Sequence, residues 1–281
     1  MTIKIVTDST ADIPAKLAEE LGITVVPCYL RFGEEVYRDR VDISEDEFYE
    51  RLLRDPVHPA TTQPAPGDFV DVYEKLSKDA DGIVSIHLTS KLSGTYNSAV
   101  LGKKEMEAKC PVEVIDTQTL TITFGMIVIE AAKMAKSGKS IKQIVDEVNN
   151  MIPRVHVLVL FDTLKYLAKG GRIGKAKAML GSVLSIKPML TVKDGELVPS
   201  GQARTRLKGI DRLVDFVKNA VDIEDLAVLY STTPDEARAL VERISPIFPK
   251  ERILLARLGP ALGVHGGPGV LAIALMEKGL P

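Results

Sequence analysis

Short β-branched runs alternate with helical patterns through the first half of the chain, and this rhythm narrows the choice of fold more than any other feature. IKIVT, ITVVPCYL, GIVSIHL and VEVID read as strands, interleaved with IPAKLAEELG and with a helical stretch that begins near Ser93. Strand, helix, strand repetition implies a parallel sheet, because a parallel neighbour is reached only through a crossover long enough to hold a helix. The punctuation agrees with the rhythm. Pro14 opens a helix that Gly22 closes, and Ser44 with Glu47 forms a capping box ahead of FYERLL.

A long apolar helix from about Phe124 to Ser137 and an amphipathic one from Ser140 to Met151 lead to Pro153, where the pattern changes. Beyond it come a strand (VHVLVLF), two short helices about the turn KGGRIG, and a hairpin whose Asp194-Gly195 pair is a strong turn signal. A helix from Thr205 to Ala220, the strand LAVLY, the helix PDEARALVERI and the strand RILLARL follow. At 281 residues the chain exceeds what one core usually serves. The fold expected is α/β in two domains: a parallel α/β domain over 1–152, and an α+β domain with a mixed, partly antiparallel sheet over 153–281.

Several function classes are excluded at this level. A net charge of -2 provides no global field for nucleic acid or an anionic membrane. Cys28 and Cys110 form no paired motif, so neither a disulfide framework nor a thiolate metal site is expected. His58, His87, His156 and His265 lack ligand-type spacing, and no metal or other cofactor is expected. Gly174-Lys175 superficially resembles a phosphate loop, but Lys169 and Ala176 break the pattern. The uncharged stretch Gly259–Met276 carries five glycines and two prolines, and reads as a loop feeding a helix rather than a membrane span. MTIKIVTDST lacks the features of a secretory signal, so a cytoplasmic location is expected.

Ligands of α/β sheets collect where loops leave strand ends and helices begin. Three such loops carry hydroxyls: Asp8-Ser9-Thr10, Thr61-Thr62-Gln63-Pro64, and Ser93-Gly94-Thr95. They suit a carboxylate or a phosphate, and the same residues would serve as helix caps. Arg172 in Gly170-Gly171-Arg172-Ile173-Gly174 could clamp an acid or hold a loop. His265 in His265-Gly266-Gly267-Pro268-Gly269 reads as an imidazole just before a helix start, or as a structural histidine.

Taken together, DSTADIP, TTQP at 61–64, TSKLSGTYNSA, VIDT at 114–117, KGGRI and HGGPG resemble the DegV family in order across nearly the whole chain. The resemblance implies a non-catalytic protein that holds one long-chain fatty acid in an apolar tunnel near the domain interface. It also implies a partner, a fatty acid kinase that phosphorylates the bound carboxylate with ATP. By motif, Thr61, Thr62, Ser93, Gly94 and His265 would hold the carboxylate, with Arg172 and Gly266 in support. Arg204 or Arg206, in QARTRLKG, would face the kinase. The chain departs from the family's commonest pattern at TTQPAPG, where a serine often precedes Gln-Pro, and at Gly266, where a threonine often follows the histidine.

Two other readings remain open on sequence alone. One is a sensor or transport protein for another lipid or small acid. The other is an acyl hydrolase with Ser93 as nucleophile and His265 as base, although no G-x-S-x-G elbow is present.

Overall fold

Helix ends fall where the punctuation predicts them. In the computed structural model, which describes residues 1–108, 110–180 and 186–279, β1 (Ile3–Asp8) runs through a 3₁₀ turn into α1 (Ala15–Leu21). That helix stops at Gly22, whose φ of 70° turns its N–H back onto the carbonyls of Ala18 and Glu19. There follow β2 (Ile23–Val26), β3 (Tyr29–Phe32), β4 (Glu35–Arg38) and α2 (Glu45–Arg54), with Ser44 accepting from the Glu47 N–H. Then come β5 (Ala60–Thr62), α3 (Pro66–Ser77), β6 (Gly82–His87), α4 (Thr95–Glu105), β7 (Val112–Asp116), α5 (Ile122–Lys136) and α6 (Ile141–Met151).

The second half contains β8 (Val155–Leu160), α7 (Lys165–Lys169), a 3₁₀ segment at Gly174–Met179, β9 (Lys187–Lys193) and β10 (Glu196–Ala203). It continues through α8 (Arg206–Lys218), β11 (Ile223–Tyr230), α9 (Pro234–Ile244), β12 (Ile253–Arg257), α10 (Pro260–Gly266) and β13 (Leu271–Glu277).

Three sheets result. A parallel sheet has the order β2-β1-β6-β7, as the alternating rhythm predicts. A six-stranded sheet has the order β10-β9-β8-β13-β11-β12, antiparallel throughout except where β11 pairs with β12. A third sheet, β4-β3-β5, is antiparallel and was not foreseen. It arises because Pro27 ends β2, so ITVVPCYL is two strands in two sheets rather than one.

Gly259–Met276 also departs from expectation. It supplies the short helix α10 and then β13, which lies between β8 and β11 at the middle of the six-stranded sheet. LAIALM is buried on both faces, so its apolar run lacks the alternation that marks a strand with one face in water.

α5 is the centrepiece of the core. Ten of its residues are buried, because the parallel sheet covers one side and the six-stranded sheet the other. A single apolar cluster runs from Ile5 and Ile86 through Ile127 and Val128 to Val159 and Leu229. Each fully buried side chain of this size contributes about 1.5–3 kcal/mol. Gly125 lets α5 close onto the Ala11 carbonyl in the turn after β1. No helix among the described residues is long and apolar enough to cross a membrane.

Candidate functional site

A cavity of about 890 Å³, mouth included, opens between the three sheets. Most of its wall is apolar: Leu88 and Leu92 follow β6, Val159 and Phe161 end β8, and Leu229 and Leu258 lie at the ends of β11 and β12.

Polar side chains complete the lining. Tyr29 pairs with Thr62 in the β3–β5 register, which brings Cys28 beside Gln63. Gln63 lies flat against Gly94, where a Cβ would come within 2.6 Å of its amide nitrogen, so only glycine allows that approach. Ser93 Oγ is 2.9 Å from Thr95 Oγ1, at the start of α4. Thr61 Oγ1 is 2.9 Å from His265 Nε2, which joins β5 to α10. Arg172 donates to the Gly170 carbonyl at 2.8 Å and to the Leu92 carbonyl at 3.4 Å, so its guanidinium sits where the loop after β6 meets the loop after α7.

His265 is the group most changed by this setting. Burial, with Arg172 and His58 nearby, pushes its pKa down to about 4, so the imidazole is neutral at physiological pH. Its Nδ1 is buried without a hydrogen-bond partner, hard against Gly170. If Nε2 carries the hydrogen, it donates to Thr61 and frees the Thr61 hydroxyl to donate into the cavity. The other tautomer consumes that hydroxyl. An anionic ligand therefore selects the Nε2–H form.

Two buried polar clusters back the opposite wall, where Thr10 and Thr121 line the cavity. In the first, Asp8 accepts from the Thr10 N–H and hydroxyl and from His87 Nδ1, and His87 continues to Ser85 and Tyr73. In the second, Arg40 donates to Asp12 at 2.8 Å, to the carbonyls of Ser9 and Arg257 at 3.0 and 2.9 Å, and to Glu45 at 3.0 Å. Asp12 also accepts from the Gly259 N–H at 2.8 Å and from the Thr121 hydroxyl at 2.5 Å. This cluster fastens the turn between β12 and α10 to the segment after β1. Burial drives the Asp12 carboxyl up, against Arg40. Beside them Asp39 is pushed up to about 6 by burial, again against Arg40. The Ser9 hydroxyl and the Ala261 N–H approach Asp39 without reaching hydrogen-bonding geometry.

Several local expectations need correction. Thr61 and Thr62 lie on a strand and cap no helix; Ala65 occupies the N-cap of α3. His265 sits in the last turn of α10, not before a helix start, so the partial charge it meets is negative. None of Ser9, Thr10 or Asp12 caps α1, whose N-cap is Pro14; Asp8 caps the 3₁₀ turn instead. Ser93 and His265 hydrogen-bond to Thr95 and Thr61 respectively, not to each other, which removes the geometry of the hydrolase reading.

Thr61, Thr62, Ser93, Arg172, His265 and Gly266 all line the cavity, and Gly94 packs behind Gln63. Arg204 is exposed. Arg206 is bonded to Glu236 at 2.7 Å and to the Gly269 carbonyl at 2.6 Å, so it clamps the turn before β13. Cys28 and Arg40 were missed as site residues, whereas Asp8 and Gln63 fall inside two of the candidate loops without a role assigned to them. Cys28 and Cys110 are free thiols, and no cluster suited to a metal occurs among the described residues.

Comparison with known proteins gives one consistent picture. Residues 2–278 match the model of a family described as "Uncharacterised protein, DegV family". A DegV domain-containing protein of Caldanaerobacter subterraneus subsp. tengcongensis is 39% identical over 279 residues, 98% of this chain and 99% of that protein. Among solved structures, a fatty-acid-binding DegV family protein from Thermus thermophilus superposes with a TM-score of 0.91 at 34% identity, over 99% of this chain and 100% of the other. A stearic-acid-binding protein from Eubacterium ventriosum superposes with a TM-score of 0.90 at 27% identity, over 98% of each chain.

Proposed function

Because the chain belongs to the DegV family, we propose that it binds one long-chain fatty acid and presents the carboxylate to a fatty acid kinase. The observation that carries this reading is one mostly apolar cavity whose lining also includes Thr61, Thr62, Ser93, Arg172 and His265. Burying about sixteen carbons at about 0.8 kcal/mol per methylene yields a gross driving force near 12 kcal/mol before the cost of association. Affinity comes from the tail, and orientation from the head group.

At the head, the hydroxyls of Thr61, Thr62 and Ser93 donate to the two carboxylate oxygens. His265 orients Thr61 through Nε2–H. Arg172 supplies the positive charge, and Gly94 and Gly266 allow close approach. The ligand lies between the two proposed units, 1–152 and 153–281. The protein itself carries out no chemistry; a cytoplasmic kinase docks near Arg204 and transfers the phosphoryl group from ATP.

Native mass spectrometry of the purified protein, followed by lipid extraction, tests the binding step. A stoichiometric C16–C18 acid that is lost in a Thr62→Ala, Ser93→Ala double variant supports the reading. An empty protein that also fails to take up added fatty acid sinks it. The presenting step needs ATP-dependent acyl phosphate formation that requires both proteins; uptake without such coupling would leave a sensor or transport protein.

A further inference from the structure

Asp8-Ser9-Thr10 stood out in the sequence as a possible anion-binding loop, yet the fold leaves Thr10 no hydrogen to give a ligand. Its hydroxyl and its N–H both go to Asp8 Oδ1. The other oxygen of Asp8 is 2.9 Å from His87 Nδ1. The position of the ring hydrogen follows from the rest of the chain of bonds. Tyr73 donates to Ser85 Oγ at 2.8 Å, so the Ser85 hydrogen goes to His87 Nε2 at 2.7 Å, which places the ring hydrogen on Nδ1 facing Asp8. All these residues are buried, so water cannot compete for the bonds. What Thr10 Oγ offers the cavity is therefore lone pairs, with a carboxylate directly behind.

Thr10, which lines the cavity, is linked to the head-group residues through its neighbour Ser9. Ser9 Oγ accepts from the Cys28 N–H at 3.0 Å, the Cys28 thiol meets Ser9 and Thr95, and Thr95 bonds Ser93. An acceptor this close to the head-group residues repels a carboxylate and welcomes a neutral O–H. We propose that Thr10 is a specificity-determining acceptor, with Asp8 and His87 as its positioning residues, and that the cavity takes acyl chains carrying a hydroxyl on carbon 2 or 3 whose hydrogen is donated to Thr10 Oγ. The same wall confines the carboxylate to the side of Thr61, Ser93 and Arg172. This inference rests on the fatty-acid reading above and names a substrate subclass for it.

Calorimetric titration at pH 8, where a ligand carboxyl is ionised and has no hydrogen to give, separates the two ideas. The ligands are hexadecanoate and its 2- and 3-hydroxy derivatives, and the proteins are wild type, Thr10→Val and Thr10→Ser. On wild type at least one hydroxy acid binds as tightly as hexadecanoate or better. Thr10→Val weakens that hydroxy acid about tenfold, the worth of one hydrogen bond, and hexadecanoate less than twofold; Thr10→Ser restores it. Equal losses for both ligands, or none, overturn the inference while leaving fatty-acid binding intact. Failure of every ligand on wild type overturns both.

The relay has its own readout. Asp8→Asn sets an amide NH₂ against His87 Nδ1–H, so the imidazole switches to the Nε2–H tautomer, visible in ¹⁵N spectra of the ring. A ring hydrogen that stays on Nδ1, or hydroxy-acid affinity unchanged after the switch, removes Asp8 and His87 from the proposal.

Discussion

Thr10 and His265 line the same cavity, yet the hydrogen bonds behind them differ in kind. Behind Thr10, the Asp8–His87–Ser85–Tyr73 chain and the Arg40–Asp12 cluster occupy almost every donor they contain. Behind His265, a buried ring nitrogen has no partner, and His58 Nε2 nearby has none either. A fully satisfied buried network holds one geometry, because each alternative strands a polar group in a low-dielectric interior. A partly satisfied one gives up less when it rearranges around a ligand. The first wall accordingly fixes the shape of the cavity, and the second is where a ligand improves the bonding. Variants in the first should report in stability, and variants in the second in affinity.

Arg40→Ala gives the hardest test of that contrast. It strands the buried Asp12 and the half-buried Glu45 without their cation, so a loss of about 3–5 kcal/mol is expected, or roughly 10 °C in a thermal melt of ligand-free protein. An unchanged melt with weakened ligand binding would invert the assignment of the two walls.

Asp39 belongs to the satisfied side but is its one flaw, and Asp39→Asn sharpens the comparison. Its folded pKa near 6 lies above the unfolded value, so its favourable contribution is complete below the unfolded pKa and is lost as pH rises through about 6. The variant should therefore be more stable than wild type at pH 8, by up to about 3 kcal/mol, and equal to it or worse at pH 4. Denaturant midpoints at the two pH values decide.

On the other wall, Thr62→Ala and Ser93→Ala should each cost about 1–2 kcal/mol of fatty-acid binding, with the ligand-free melt within about a degree of wild type. Arg204→Glu should leave ligand binding alone and cut coupling to the proposed kinase.

At neutral pH His265 sets the smallest effect. Its folded pKa of about 4 lies below that of the unfolded chain, so the unfolded state takes up protons first, and stability falls as pH drops from about 6.5 toward 4. The loss should be up to about 3 kcal/mol and absent in His265→Gln. A bound carboxylate favours the imidazolium, so ligand should flatten the slope.

The sequence told unevenly of these two walls. Strand and helix order was legible because Pro14, Gly22, Ser140 and the Asp194-Gly195 pair act through the backbone a few residues away. Pro27 carried the same kind of signal, and it was overlooked in an apolar run. β13 was not legible, because burial on both faces erases the period of two. On the His265 wall, residue identity came through motifs, but not its setting: His265 was placed before a helix that in fact ends there. The wall behind Thr10 was nearly invisible. Arg40, within Arg38-Asp39-Arg40-Val41-Asp42, looks like ordinary surface charge; its role depends on Arg257 and Gly259, and no local pattern encodes a contact across that separation.

The position of β13 also dictates an order of assembly. β8 is among the first strands of its sheet to leave the ribosome, yet its partner on one side is β13, the last strand in the chain. Pairing across that span closes a long loop, which is the slow kind of folding event. The parallel sheet, whose strands all lie before residue 117, can settle much earlier. During synthesis the early sheet would therefore stand with α5 half covered and its apolar face open. A chaperone would find its target there, and a chain stalled before residue 271 would present the same face to a protease.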